Sequence, residues 1–147
     1  MAKSINEDQK LDNQLCFSLY SASLAMSKMY KPLLETLGIT YPQYLMMLVL
    51  WEDDGITATE LSLRLGQDKG ALTPVIKRLE NQKLINRHRD PEDERRVIIE
   101  LTDAGRSMQK EAASIPTQVL NACGLNPQSA RALKTQIETL RQYLANP

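Results

Sequence analysis

Between Thr57 and Thr102 the chain reads TATELSLRLGQDKGALTPVIKRLENQKLINRHRDPEDERRVIIELT. No other stretch restricts the fold so tightly, because its local signals spell two short helices followed by a two-stranded hairpin. Thr57 and Glu60 have the spacing of a capping box, in which the hydroxyl accepts an unpaired N–H and the carboxylate reaches back. Ile56 and Leu61 are spaced for the accompanying hydrophobic staple. Gly66 predicts the stop of the first helix, since glycine takes a left-handed backbone without penalty. Asp68 predicts the N-cap of a second helix running to about Gln82.

The second helix has two unlike faces. Leu72, Ile76 and Leu79 form a stripe suited to packing on the first helix. Lys69, Thr73 and Lys77 recur every fourth residue on another side, with Arg78 flanking. Two short helices joined at Gly66–Gln67 match the helix-turn-helix plan, whose second helix lies in the DNA major groove. Leu84–Arg89 and Arg95–Leu101 read as strands, joined by the polar, Pro-containing tip Asp90–Glu94. A hairpin in that place is a wing, and its arginines are placed to reach phosphates or the minor groove. Asp68, Lys69, Thr73, Pro74, Lys77, Arg78, Arg87, Arg95 and Arg96 are the candidate DNA-binding residues. The plainer alternative is a basic solvated helix beside a surface hairpin. The expected fold is mainly α with a small β-hairpin wing.

A formal charge of zero superficially argues against a nucleic-acid partner. Its distribution argues the other way, with six Lys/Arg and one Glu between Lys69 and Arg89. No run approaches the ~18 apolar residues of a membrane span, and MAKSINEDQK lacks a signal-peptide core, so the expected compartment is the cytoplasm. Cys16 and Cys123 do not predict a permanent structural disulfide there. A single histidine, His88, builds no His-rich metal site and reads as a surface or phosphate-facing residue; no residue set calls for a cofactor.

Residues 1–10 are polar and expected to fray. Asp12 is a candidate N-cap for a long helix towards Tyr30, with an apolar stripe from Leu11 through Leu15, Leu19, Ala22, Met26 and Met29 to Leu33. Pro32 should bend or end it. Thr40 and Gln43 form a second capping box, and the helix Tyr41–Trp51, apolar nearly all round, should be buried. Thr102 caps a helix that Pro116 interrupts and Gly124 ends. Asn126-Pro127 opens a last helix, Pro127–Leu144, striped by Leu133, Ile137, Leu140 and Leu144. Apolar stripes at both ends suggest an intertwined dimer, presenting two recognition helices to half-sites about 34 Å apart. The alternative is that both ends pack on their own core.

Cys16 falls near the start of the first helix, about one turn in, where N–H groups and the positive dipole end favour a thiolate. An isolated cysteine is also commonly buried and inert. LDNQLCFSLYSAS, YKPLLETLGITYPQYLMMLVLWE, KGALTPVIKRLE and RDPEDERRVIIELT together resemble the organic hydroperoxide resistance regulator branch of the MarR family, over roughly Leu11 to Ala113. The resemblance implies a dimeric winged-helix repressor of double-stranded operator DNA, with organic hydroperoxide as the oxidant signal. It implies Cys16 as the reactive cysteine and Tyr30 and Tyr41 as the tyrosines that hydrogen-bond its sulfur. It further implies that Cys123 resolves oxidised Cys16 of the other subunit as a reversible disulfide; Cys123 as a bystander is the alternative. Lys69 and Ala71 depart from the small hydroxyl residues of the family, whereas Thr73, Pro74, Lys77 and Arg78 match.

In a straight helix Cys16 and Tyr30, fourteen residues apart, are separated by about 21 Å, so a shared site needs a second protomer. The resulting reading is one domain over 1–147, with 11–38 and 103–147 as dimerisation helices and 39–102 as the DNA-binding part. It is a regulator and not an enzyme. The rival readings are a regulator of the same fold controlled by a small aromatic ligand, and a thiol peroxidase using Cys16 and Cys123.

Overall fold

The first long helix in the computed structural model, which describes residues 6–146, starts later than Asp12 predicts. Helix α1 spans Leu15–Glu35, with Gln14 as its N-cap. Of the segment expected to fray, residues 1–5 lie outside the described residues. Residues 6–13 instead form two 3-10 turns, Glu7–Gln9 and Leu11–Asn13, with Asp12 inside the second. Side-chain amides hold these turns: Asn13 Nδ2 donates to the Glu7 carbonyl at 2.8 Å, and Gln14 Nε2 to those of Asp8 and Lys10 at 2.7 and 2.8 Å. Pro32 does not end α1. Its ring is exposed, and its missing N–H orphans a single carbonyl, that of Lys28, about two turns before the end of the helix.

Gly38, at φ 70°, turns the chain into helix α2, Tyr41–Glu52. The Thr40–Gln43 capping box is complete, each residue accepting the other's backbone N–H. Tyr44, Met46, Met47, Val49 and Leu50 are buried, and α2 is the centre of the core as its composition requires. Leu48 is the exception, half-exposed on the outer side.

Strand β1 (Ile56–Thr57) leads into helix α3 (Ala58–Leu65), which ends at Gly66 with φ 64°. Helix α4 follows over Lys69–Asn81, then strands β2 (Ile85–Arg89) and β3 (Val97–Leu101). The sheet is antiparallel in the order β1-β3-β2, so the wing has three strands rather than the expected two. Ile56 pairs with Ile99 and Thr57 with Ile98. Two residues carry no alternating pattern, so β1 was hidden inside what reads as a helix entry. The Thr57 box is half-formed: Thr57 Oγ1 accepts from the Glu60 N–H at 3.1 Å, while the Glu60 carboxylate turns towards Arg96.

The chain divides into two compact units, the first extending to Arg106 and the second beginning at Ser107. Helix α5 (Asp103–Glu111) crosses this boundary. Its start is pressed onto the sheet: a Cβ on Gly105 would lie 2.2 Å from the Leu84 carbonyl oxygen. In the second unit Pro116 sits in the first turn of a fresh helix, α6 (Ile115–Cys123), which stops at Gly124 with φ 67°. Helix α7 runs over Pro127–Ala145, with Asn126 and Ser129 capping each other. None of its residues is buried, and Leu133, Ile137 and Leu144 stand open to solvent. No described helix is long and apolar enough to cross a membrane.

Candidate functional site

Helix α4 is set by its apolar stripe. Leu72, Ile76 and Leu79 are buried, so Lys69, Thr73, Pro74, Lys77 and Arg78 are forced outward along a helix about 20 Å long. Asp68 has the extended backbone of an N-cap and its carbonyl accepts from Ala71 and Leu72, although its carboxylate makes no capping bond. Thr73 Oγ1 donates back to the Lys69 carbonyl at 2.9 Å, which turns its methyl outward. Pro74 denies the Gly70 carbonyl a helical donor, a gap that the small Gly70 tolerates.

The fold brings residues far apart in sequence to one cleft. Lys69 at the start of α4 lines a hollow of about 420 Å³ together with Arg95 and Arg96 of the wing, Thr57 of β1, and Thr59 and Glu60 of α3. The wing cations are not bare. Arg96 lies 3.8 Å from Glu60 and 3.7 Å from Asp90, and Arg95, almost fully exposed, is 3.2 Å from Asp93. Arg87 pairs across the strands with Ile99, on the face towards α4, where Glu80 holds it at 3.2 Å. His88 falls on the opposite face, 3.8 Å from Glu100. Hydrogen bonding to Arg95 holds the Asp93 carboxyl below its usual range.

Cys16 is exposed at the second residue of α1, nearer the helix start than the one turn expected from Asp12. The N–H groups of that first turn have no i−4 acceptor within the helix. Tyr20 stands one turn further on, on the same side and exposed; the i, i+4 spacing from Cys16 was the available signal for it. Because α1 is continuous from Leu15 to Glu35, Cys16 and Tyr30 are about 21 Å apart along it and cannot meet within one chain. Tyr30 does meet Tyr41, with ring centroids 4.6 Å apart, and buried Tyr44 at 5.7 Å. Tyr44 was hidden among apolar neighbours in the sequence of α2. Burial raises the Tyr41 phenol above its usual value, and burial together with Tyr41 raises Tyr44. Both therefore keep their protons at neutral pH and carry hydroxyls able to donate. Cys123, at the last turn of α6 in the second unit, is a free and exposed thiol.

Residues 28–112 match the family described as transcriptional regulator SarA/Rot, more than half of the chain. Over 143 residues the chain is 48% identical to the organic hydroperoxide resistance transcriptional regulator of Bacillus subtilis (strain 168), covering 92% of this chain and 95% of that one. Among solved structures it is similar to reduced AbfR bound to DNA, the protein from Staphylococcus epidermidis, with TM-score 0.78 and 33% identity over 97% of this chain and all of the other. The disulfide-formed AbfR matches with TM-score 0.61 and 37% identity, over 95% of this chain and 92% of that one. The chain belongs to this family of winged-helix transcriptional regulators, the MarR-type group that includes the organic hydroperoxide resistance regulators.

Proposed function

We propose that the protein is a cytoplasmic, homodimeric repressor that binds double-stranded operator DNA when reduced and releases it when an organic hydroperoxide oxidises Cys16. The observation that carries this reading is an exposed thiol in the first turn of α1, in a chain 48% identical to an organic hydroperoxide resistance regulator. The whole chain acts as one domain, in which residues 39–102 hold DNA while 11–38 and 103–147 dimerise. Lys69, Thr73, Pro74, Lys77 and Arg78 enter the major groove behind Asp68, and Arg95 and Arg96 take the wing to the flanking backbone. Arg87, which starts 3.2 Å from Glu80, joins them in holding DNA. In the dimer, Tyr30 and Tyr41 of one protomer donate to the Cys16 sulfur of the other. The unburied apolar side chains of α1 and α7 support that dimer; Leu15, Leu24, Met26, Ile137 and Leu144 are left uncovered by a single chain.

The chemistry is a two-electron oxidation. The Cys16 thiolate attacks the O–O bond of the hydroperoxide, an S–O bond forms, and the alkoxide leaves to be protonated as an alcohol. The Cys123 thiol of the partner then attacks the sulfenic sulfur, forming S–S and releasing water. The disulfide-formed structure of AbfR supports this second step. Cys16→Ser should bind DNA when reduced and keep it after tert-butyl hydroperoxide. Cys123→Ser should lose the covalent dimer seen on a non-reducing gel and accumulate sulfinic and sulfonic Cys16 by mass spectrometry. Full release from Cys16→Ser would sink the reading in favour of a small-ligand regulator. Sustained peroxide turnover with thioredoxin, without DNA binding, would point to a peroxidase.

A further inference from the structure

The joint between α4 and the wing is held by two glutamines that reach back to the tyrosine pair. Gln82 is the C-cap of α4, and Lys83 beside it is the one non-glycine residue with positive φ among the described residues. Gln82 Nε2 donates to the Gly38 carbonyl, in the turn between α1 and α2, at 2.7 Å. Gln82 Oε1 accepts from Gln43 Nε2, also at 2.7 Å. Gln43 is 2% exposed, and its own Oε1 accepts the Thr40 backbone N–H at 2.8 Å. Tyr41 follows directly, its ring tilted 33° against that of Tyr30.

This chain of bonds joins the end of α1, the first turn of α2 and the exit of the recognition helix. Each amide uses its oxygen as acceptor and its nitrogen as donor. The chain has one direction, and a shift at Thr40 is passed on or a buried amide loses its partner. The Gln82 end closes α4, and only Lys83 and Leu84 separate it from β2.

We propose that Gln43 and Gln82 are positioning residues that couple the state of the Cys16 site to the placement of α4. The inference rests on the hydroperoxide-sensing reading: when Cys16 is oxidised, Tyr41 loses the anionic sulfur it faces, the first turn of α2 repacks, and the glutamine pair carries that change to α4.

The test uses full-length protein and an operator selected from random duplexes by the reduced wild type. For each variant, the Kd is measured reduced and after tert-butyl hydroperoxide, and Cys16 oxidation is followed by mass spectrometry. Gln82→Met and Gln43→Met/Gln82→Met should oxidise at Cys16 as the wild type does, while the ratio of oxidised to reduced Kd falls roughly tenfold, the scale of a typical coupling. The double variant removes both side-chain amides together but also takes a partner from the Thr40 N–H and the Gly38 carbonyl, so its urea midpoint is measured beside the ratio to separate lost coupling from lost stability. Gln82→Glu keeps the acceptor for Gln43 and should retain part of the ratio; if Gln82→Met does not fold, Gln82→Glu decides by the same ratio. An unchanged ratio with Cys16 oxidised overturns the proposal, including the case in which both affinities weaken equally and the glutamines are merely structural. Failure of the sensing reading shows separately, as release of DNA by Cys16→Ser.

Discussion

Lys83 stands in the left-handed region at φ 60°, where a Cβ is strained and only glycine is at ease. Thr102 Oγ1 donates to its carbonyl at 2.7 Å, one of the bonds that hold it there. Lys83→Gly should raise unfolding free energy by roughly 1 kcal/mol, read as a higher urea midpoint at unchanged slope. A second residue-scale consequence concerns alkali. The Tyr41 and Tyr44 phenols are raised in the folded state, so the unfolded chain ionises first as pH climbs. Their contribution to stability is full below the ordinary phenol value near 10 and is lost as pH rises through the folded values. Tyr41→Phe should flatten the fall of stability above pH ~10, measured by urea titration across that range. At this scale the chain is partly legible. The Thr40–Gln43 box and the Gly66 stop depend on neighbours three or four residues away and were readable. The Gln43–Gln82 bond spans 39 positions, and no local rule proposes it.

Elements divide in the same way. Helix α4 could be read with its buried and exposed faces, because a period of 3.6 is written into Leu72, Ile76 and Leu79. Strand β1 could not, since two residues carry no period and their pairing with Ile98 and Ile99 is set by the fold. The start of α1 was misplaced for a related reason. Asp12 is a good capping type, yet the amides of Asn13 and Gln14 stabilise 3-10 turns that delay the helix to Leu15. Lys77 is exposed with no ion pair among the described residues, whereas Arg95 has Asp93 beside it. Lys77→Ala should therefore lower the slope of log K against log salt by about 0.9, the loss of one released counterion. Arg95 must exchange Asp93 for a phosphate on binding, so Arg95→Ala should change the slope by less than that. Both are read from fluorescence anisotropy over a salt series, and an unchanged slope for Lys77→Ala would remove that residue from the interface.

For the whole molecule, the terminal helices were legible as stripes but not in what covers them. A stripe records that a partner is needed and says nothing of whose residues supply it. Along α7, Leu133 and Ile137 are each more than two-fifths exposed, and covering such a side chain fully is worth on the order of 1 kcal/mol. Ile137→Glu would place a charge in that contact. It should shift the protein to monomers in sedimentation velocity and abolish operator binding, with the winged-helix part still folded by circular dichroism. Dimers that persist would instead show that α7 is solvated. The wing has a consequence on another timescale. Arg87, Arg95 and Arg96 each carry a carboxylate within 4 Å. Such exposed pairs are individually weak, yet each must be given up for a phosphate on any duplex, which lowers the electrostatic gain that holds the protein on random sequence. Encounters with the wrong duplex should be brief, and the search should proceed by many short hops rather than long slides.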